Sequence, residues 1–179
     1  PLKGTKDISV VIPSYNEEGN ILPMIKRITK ALKGRYSFEV IWVDDNSKDK
    51  TQDILTKLAK KDSNAVAVFR EGIRGIWSAQ LDGIKLSRGK VTVLMDADLS
   101  HPPEIIPKMM DNIPKYDFIS ASRYIFGGGM KGIPFHHYLS TNIFNRIIKL
   151  TMGLKATDYT GVYHAIKKDK LMQILPKSD

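Results

Sequence analysis

Short runs of β-branched and apolar residues alternate along this chain with segments whose apolar positions recur every three or four residues, the pattern of strands separated by amphipathic helices. ISVVI at 8–12 predicts a first strand, and Pro13 marks its exit because proline cannot donate to a sheet ladder. Ile21, Ile25, Ile28 and Leu32 then share one helical stripe, with Pro23 near the helix start and Gly34 as its stop. FEVIWV at 38–43 predicts a second strand, followed by a helix carrying Ile54, Leu55 and Leu58. AVAVF at 65–69 and a helix from about Ile76 to Leu86 make a third unit, and VTVLM at 91–95 a fourth strand.

Beyond it, the pattern predicts a helix from Pro103 through Met110 and a fifth strand, DFISAS at 117–122, leading into Arg123. YIFGGGMKGIP has four glycines and no periodicity, and predicts a loop that can act as a lid. Leu139, Ile143, Ile147 and Leu150 give a further helix bearing Arg146 and Lys149. TDYTGVYHAI at 157–166 predicts a turn and sixth strand, and KKDKLMQIL a last helix. Alternating strand and helix implies an α/β fold with a mainly parallel sheet covered on both faces, whose ligands gather beyond the strands' carboxyl ends. The polar clusters after strands one, two and four therefore share one rim. Trp42 and Trp77 lie in apolar surroundings and are expected in the core.

Composition narrows the chemistry. The 179 residues, 42% apolar, suffice for one core, and no repeat or linker divides them, so residues 1–179 are expected to form one domain. The chain has no cysteine, which removes disulfides, thiolate metal sites and cysteine nucleophiles. No apolar run approaches the roughly 20 residues of a spanning helix, and the first residues lack the apolar core of a signal peptide. The expected location is the cytoplasm, or the cytoplasmic face of a membrane. A formal charge of +9 favours anionic partners. The basic residues are spread out with no block of like charge, so nucleic acid is not expected as a partner.

The sharpest chemical signal is VTVLMDADLSHPPE at 91–104, where an apolar run stops at Asp96 and Asp98. On an extended segment residues i and i+2 point to the same side, so these carboxylates would project together with Ala97 turned away. Two carboxylates suit Mg²⁺ or Mn²⁺, which takes its remaining ligands from water and substrate phosphates. Taken alone, such a pair is better read as turn and helix-capping residues. Ser100 is a third metal candidate or a helix cap. His101 beside the site is expected to be a satisfied polar residue rather than a catalyst.

In chain order, IPSYNEEGNI, VDDNSKDKT, MDADLSHPPE, SASRY and the GGG at 127–129 resemble the family 2 glycosyltransferases, and within them the dolichyl-phosphate mannose synthases and their polyprenyl-phosphate relatives. The resemblance runs from residue 7 to about 169. It implies a GT-A, Rossmann-like nucleotide-sugar-binding domain in which Pro13, Tyr15, Glu17, Val43 and Asp45 hold the nucleoside. It further implies that Asp96, Ala97 and Asp98 meet the diphosphate and its metal, and that Arg123 contacts phosphate. The implied reaction is inverting transfer of a mannose- or glucose-type sugar from a GDP- or UDP-linked donor to a polyprenyl phosphate at an anionic membrane surface. Beside the resemblance stand departures: residues 1–179 are expected to lack the family's usual C-terminal segment, Trp77 stands where relatives usually carry glycine, and TGVYHAI lacks the Arg usual after the Gly-aromatic pair. Two other readings remain: a nucleotide-binding relative without activity, and a phosphoacceptor signalling domain, against which the VDD after the second rather than the first strand argues.

Overall fold

The computed structural model describes residues 4–72, 74–122, 158 and 161–175. Six strands form one sheet: β1 (Lys6–Ser14), β2 (Phe38–Asp44), β3 (Ala65–Phe69), β4 (Gly89–Leu94), β5 (Phe118–Ser120) and β6 (His164–Lys167). Their order across the sheet is β3-β2-β1-β4-β6-β5. The pairs β3–β2, β2–β1 and β1–β4 are parallel, and β6 joins β4 antiparallel. The helices are α1 (Ile21–Leu32), α2 (Thr51–Lys61), α3 (Ile76–Leu86), α4 (Ile106–Asn112, entered through a 3₁₀ turn at Pro103–Ile105) and α5 (Lys168–Ile174). Compactness divides the chain into residues 1–119 with 164–179, which hold nearly all of these elements, and residues 120–163. In the second unit, the Ala121 N–H donates to the Tyr163 carbonyl and the Gly161 N–H to Asp158 Oδ1.

The central strands β1, β2 and β4 are buried on both faces, which explains why their sequences read as continuous apolar runs. Val11, Ile41, Val43 and Leu94 point to one face, where Ala79 and Ile84 of α3 and Leu171 of α5 pack on them. Alternation sends Val10, Ile12, Val40, Trp42 and Val93 to the other face, and all of these are buried. The stripe Ile21, Ile25, Ile28 and Leu32 of α1 is buried as its spacing predicts. Gly34, at φ +83°, ends the run in the left-handed conformation that glycine tolerates.

Three expectations need correction. β1 does not end before Pro13: it continues to Ser14, with Pro13 opposite Val43 of β2. The register with β4 stops at Val11 opposite Leu94, and Met95 donates to the Val11 carbonyl. By alternation Pro13 faces that same β4 side, beyond the last ladder bond, so its missing N–H costs nothing. Trp77 is 67% exposed, whereas Trp42 is fully buried. Helix α3 buries Ala79, Gln80, Gly83 and Ile84, and Trp77 sits in its first turn to the side of that stripe. Finally, β4 ends at Leu94, so Asp96 and Asp98 lie in the turn that follows rather than on an extended strand. Leu99 in that turn has φ +64°, an uncommon conformation for a residue with a Cβ. The proposed lid, the helix expected around 139–150 and Arg123 lie outside the described residues.

Candidate functional site: a carboxylate-lined cavity at the strand ends

Because β1, β2, β3 and β4 run parallel, the loops that leave them emerge on one rim. The first two loops are stitched together there. The Asn16 N–H donates to Ser47 Oγ at 2.8 Å and the Lys48 N–H to Asn16 Oδ1 at 2.8 Å. The Glu17 N–H reaches Thr51 Oγ1 at 2.8 Å, and the Lys50 N–H reaches Glu18 Oε2 at 2.9 Å. Asn16 and Asn46 adopt left-handed conformations (φ 57° and 62°), which asparagine tolerates better than most residues. These bonds fix where Tyr15 and Glu17 stand before any ligand arrives.

Asp44 and Asp45, adjacent in sequence, have different tasks. Asp44 is fully buried and holds its own turn, accepting from the Ser47 N–H and hydroxyl and from Gln52 Nε2. Asp45 reaches across the rim instead. Its Oδ1 accepts from Arg70 Nη1 at 2.8 Å and its Oδ2 from the Gly75 N–H at 2.7 Å, so it does not cap α2. Arg70 also binds Ser78 Oγ at 2.7 Å and Asp82 at 2.9 Å, which ties the end of β3 to the first turns of α3. Arg74 donates to the Tyr15 hydroxyl at 2.7 Å and lays its guanidinium 4.5 Å from the ring centroid, a cation–π contact.

After β4, Asp96 is half-buried, Ala97 buried and Asp98 exposed. Asp98 Oδ1 accepts the Ser100 N–H at 3.0 Å. His101 Nδ1 accepts the Asp96 N–H at 3.0 Å, and its Nε2 lies 3.8 Å from Asp96 Oδ2. His101 is thus buried and bonded, as expected of a satisfied polar residue, but what it holds is the aspartate turn itself.

These pieces enclose a cavity of about 280 Å³ lined by Pro13, Ser14, Tyr15, Glu17, Asp45, Ile76, Asp96, Ala97 and Asp98. Ala97, expected to turn away on an extended strand, is part of that lining. Val43 and Ser100 are not. Val43 packs its side chain in the core beneath α3, and Ser100 is exposed and caps no helix with its hydroxyl. Among the described residues, no three His, Cys, Asp or Glu side chains cluster closely enough to hold a metal by themselves. Asp96 and Asp98 fit a hard cation that takes its other ligands from phosphate and water. The lining carries four carboxylates, of which Asp45 is paired with Arg70, and Arg74 lies over the Tyr15 ring beside them.

Sequence reasoning missed Arg70, Gly75, Arg74 and Ile76. A signal existed: REGIRG is a polar cluster after a strand of the same parallel set, and the topology that placed the other loops on the rim places this one there too.

An α/β sheet that gathers carboxylates and an aromatic ring over a cavity at the ends of parallel strands has the architecture of nucleotide-binding α/β proteins. The chain belongs to glycosyl transferase family 2, whose model it matches over residues 9–175. It is 41% identical over 133 residues to a dolichol-phosphate mannosyltransferase of Pyrococcus furiosus, covering 74% of this chain and 37% of that protein. It is 36% identical over 126 residues to the dolichol-phosphate mannosyltransferase of Saccharomyces cerevisiae, covering 69% of this chain and 47% of that one. The chain spans less than half the length of these curated relatives. Among solved structures it shares its fold with glucosyl-3-phosphoglycerate synthase from Mycobacterium tuberculosis in complex with Mn²⁺, UDP and phosphoglyceric acid. There the TM-score is 0.69 at 18% identity, over 94% of this chain and 58% of that one. Membership of this family sets aside the phosphoacceptor alternative.

Proposed function

We propose that this chain carries the donor site of an inverting, metal-dependent glycosyltransferase that moves a sugar from a nucleotide-sugar to a polyprenyl phosphate. The observation that carries the reading is the convergence of Tyr15, Glu17, Asp45, Asp96, Ala97 and Asp98 on one cavity, from loops that follow three different strands. The names of the relatives support the polyprenyl phosphate acceptor and a mannose donor, and the Mn²⁺ and UDP of the structural neighbour support a metal–diphosphate site.

In this reading Pro13 and Tyr15 form the apolar wall for the nucleoside, while Glu17 and Asp45 accept from base N–H groups or ribose hydroxyls. Asp45 can do so because each oxygen keeps a lone pair after binding Arg70 and Gly75. Asp96 and Asp98 would hold Mg²⁺ or Mn²⁺, and Ala97, with no side chain beyond Cβ, would leave room for the diphosphate. When bound, such an ion would supply charge neutralisation for a departing nucleoside diphosphate. Arg123 is assigned to phosphate, where a planar guanidinium suits paired oxygens. An acceptor phosphate is already ionised, so the chain's residues need to position it, not deprotonate it. An anionic membrane surface is the place where such an acceptor would be met.

The test is transfer of labelled sugar from GDP-mannose or UDP-glucose into an organic-soluble polyprenyl product, with Mn²⁺ or with chelator. Metal-dependent incorporation is expected. Nucleotide binding without incorporation would instead favour a binding protein of the same fold.

A further inference from the structure

The two aspartates differ in how they are held. Asp98 is exposed and leans on a local bond to the Ser100 amide at 3.0 Å. Asp96 is fixed from behind by a side chain five residues on: His101, only 9% exposed, accepts the Asp96 amide at Nδ1. A ring nitrogen that accepts an N–H carries no proton, so this contact makes Nδ1 the acceptor. The other ring nitrogen, Nε2, lies 3.8 Å from Asp96 Oδ2, too far for a hydrogen bond. The turn between them contains Leu99 at φ +64°. A non-glycine residue in that region is strained and persists where its surroundings over-determine it. The histidine that closes the turn is such a constraint.

We propose that His101 is a positioning residue for the metal–diphosphate site, closing the Asp96–His101 turn through its Nδ1 so that Asp96 and Asp98 present their carboxylates together. The inference rests on the donor-site reading above, and it assigns no proton transfer to the imidazole. Its chemistry is acceptance of one backbone N–H by one ring nitrogen, and side chains with an acceptor at the Nδ1 position should replace it. Asn offers its Oδ1 there, whereas Gln offers its terminal group near the Nε2 position.

Calorimetric titration of GDP and UDP, in Mn²⁺ and in EDTA, tests this with His101→Ala, His101→Asn and His101→Gln beside the parent chain. Partners that orient metal ligands are worth about 10- to 100-fold in metal affinity, so the Mn²⁺-dependent gain in nucleotide affinity should fall by about that factor in His101→Ala. His101→Asn should recover most of the gain, His101→Gln should not, and affinities in EDTA should agree across the series. A merely structural histidine would lower the melting temperature of the free protein without changing that gain. An undiminished gain in His101→Ala, or equal losses in the Asn and Gln variants, would overturn the proposal, and if His101→Ala does not fold the Asn–Gln comparison decides. A parent chain that shows no Mn²⁺-dependent gain would overturn the donor-site reading as well.

Discussion

Asp98 stands exposed at the rim, so replacing it removes a ligand without opening a core cavity. Asp98→Ala should therefore abolish Mn²⁺-dependent nucleotide binding and leave the unfolding free energy from urea titration within the range of ordinary surface substitutions, about ±0.5 kcal/mol. Arg70 is a different case. It is largely buried and engages Asp45, Ser78 and Asp82 through separate nitrogens. Lys keeps the charge but presents a single point donor, so Arg70→Lys should loosen Asp45 and weaken nucleotide affinity in Mn²⁺ and EDTA alike. Unchanged affinity would mean that Asp45 does not touch the nucleoside. Asp96 and Asp98 were legible as a pair because a carboxylate two residues from another is a local pattern. The Arg70–Asp45 contact was not, since it joins residues 25 apart whose meeting depends on how two loops leave adjacent strands.

Helix α3 reaches the sheet through a glycine. A Cβ on Gly83 would lie 2.4 Å from Val11 Cγ1 and 3.0 Å from Val43 Cγ2, both fully buried. Alanine would gain up to about 1 kcal/mol of helix propensity, but overpacking two β-branched core residues costs about 1–3 kcal/mol. Gly83→Ala should thus be net destabilising, read as a lower urea midpoint, and a higher one would show that α3 can lift without penalty. At the other face, Arg27 of α1 binds Glu104 with two hydrogen bonds of 2.8 Å, pinning α1 to the 3₁₀ turn that follows the aspartates. Those bonds hold the Glu104 carboxyl below its ordinary value of 4.5. A depressed folded-state value stabilises fully above the ordinary one, and the benefit is lost as pH falls through the folded value. Both groups are partly exposed, so a double-mutant cycle of Arg27→Ala and Glu104→Gln should give a coupling of only ~0.2–1 kcal/mol near neutrality, vanishing in acid. Coupling that persists below the folded value would contradict this. Element types were read from periodicity almost throughout, and α3 was placed to the residue. The strand ends were not, because whether β1 passes Pro13 depends on where its neighbour β4 stops. Nor was the exposure of Trp77, which sits beside the buried stripe of α3.

At the scale of the whole molecule, the chain carries a formal charge of +9, which draws anions to it, while the cavity at the strand ends is lined by carboxylates. If the acceptor is a lipid-linked phosphate, binding to anionic vesicles should be measurable by co-sedimentation at low salt and lost at high salt, with neutral vesicles retaining much less. Equal binding to both would remove the electrostatic part of that proposal. The fold was legible because strand and helix alternate cleanly and parallel topology forces the loops to one rim. Motif order added the family. Neither pattern revealed how the rim is locked, which rests on side-chain bonds between loops far apart in sequence. The proposed function requires a nucleoside diphosphate and a divalent cation to meet at that rim, and thermal unfolding with GDP or UDP in Mn²⁺, for the parent chain and Asp98→Ala, tests this most directly. Nucleotide at a hundredfold excess over its dissociation constant adds about 2.7 kcal/mol, or about 5–10 °C for a chain of this length. The shift should appear with one of the two nucleotides, require Mn²⁺ and disappear in Asp98→Ala; no shift with either nucleotide, or one of equal size in chelator and in Asp98→Ala, would contradict the account.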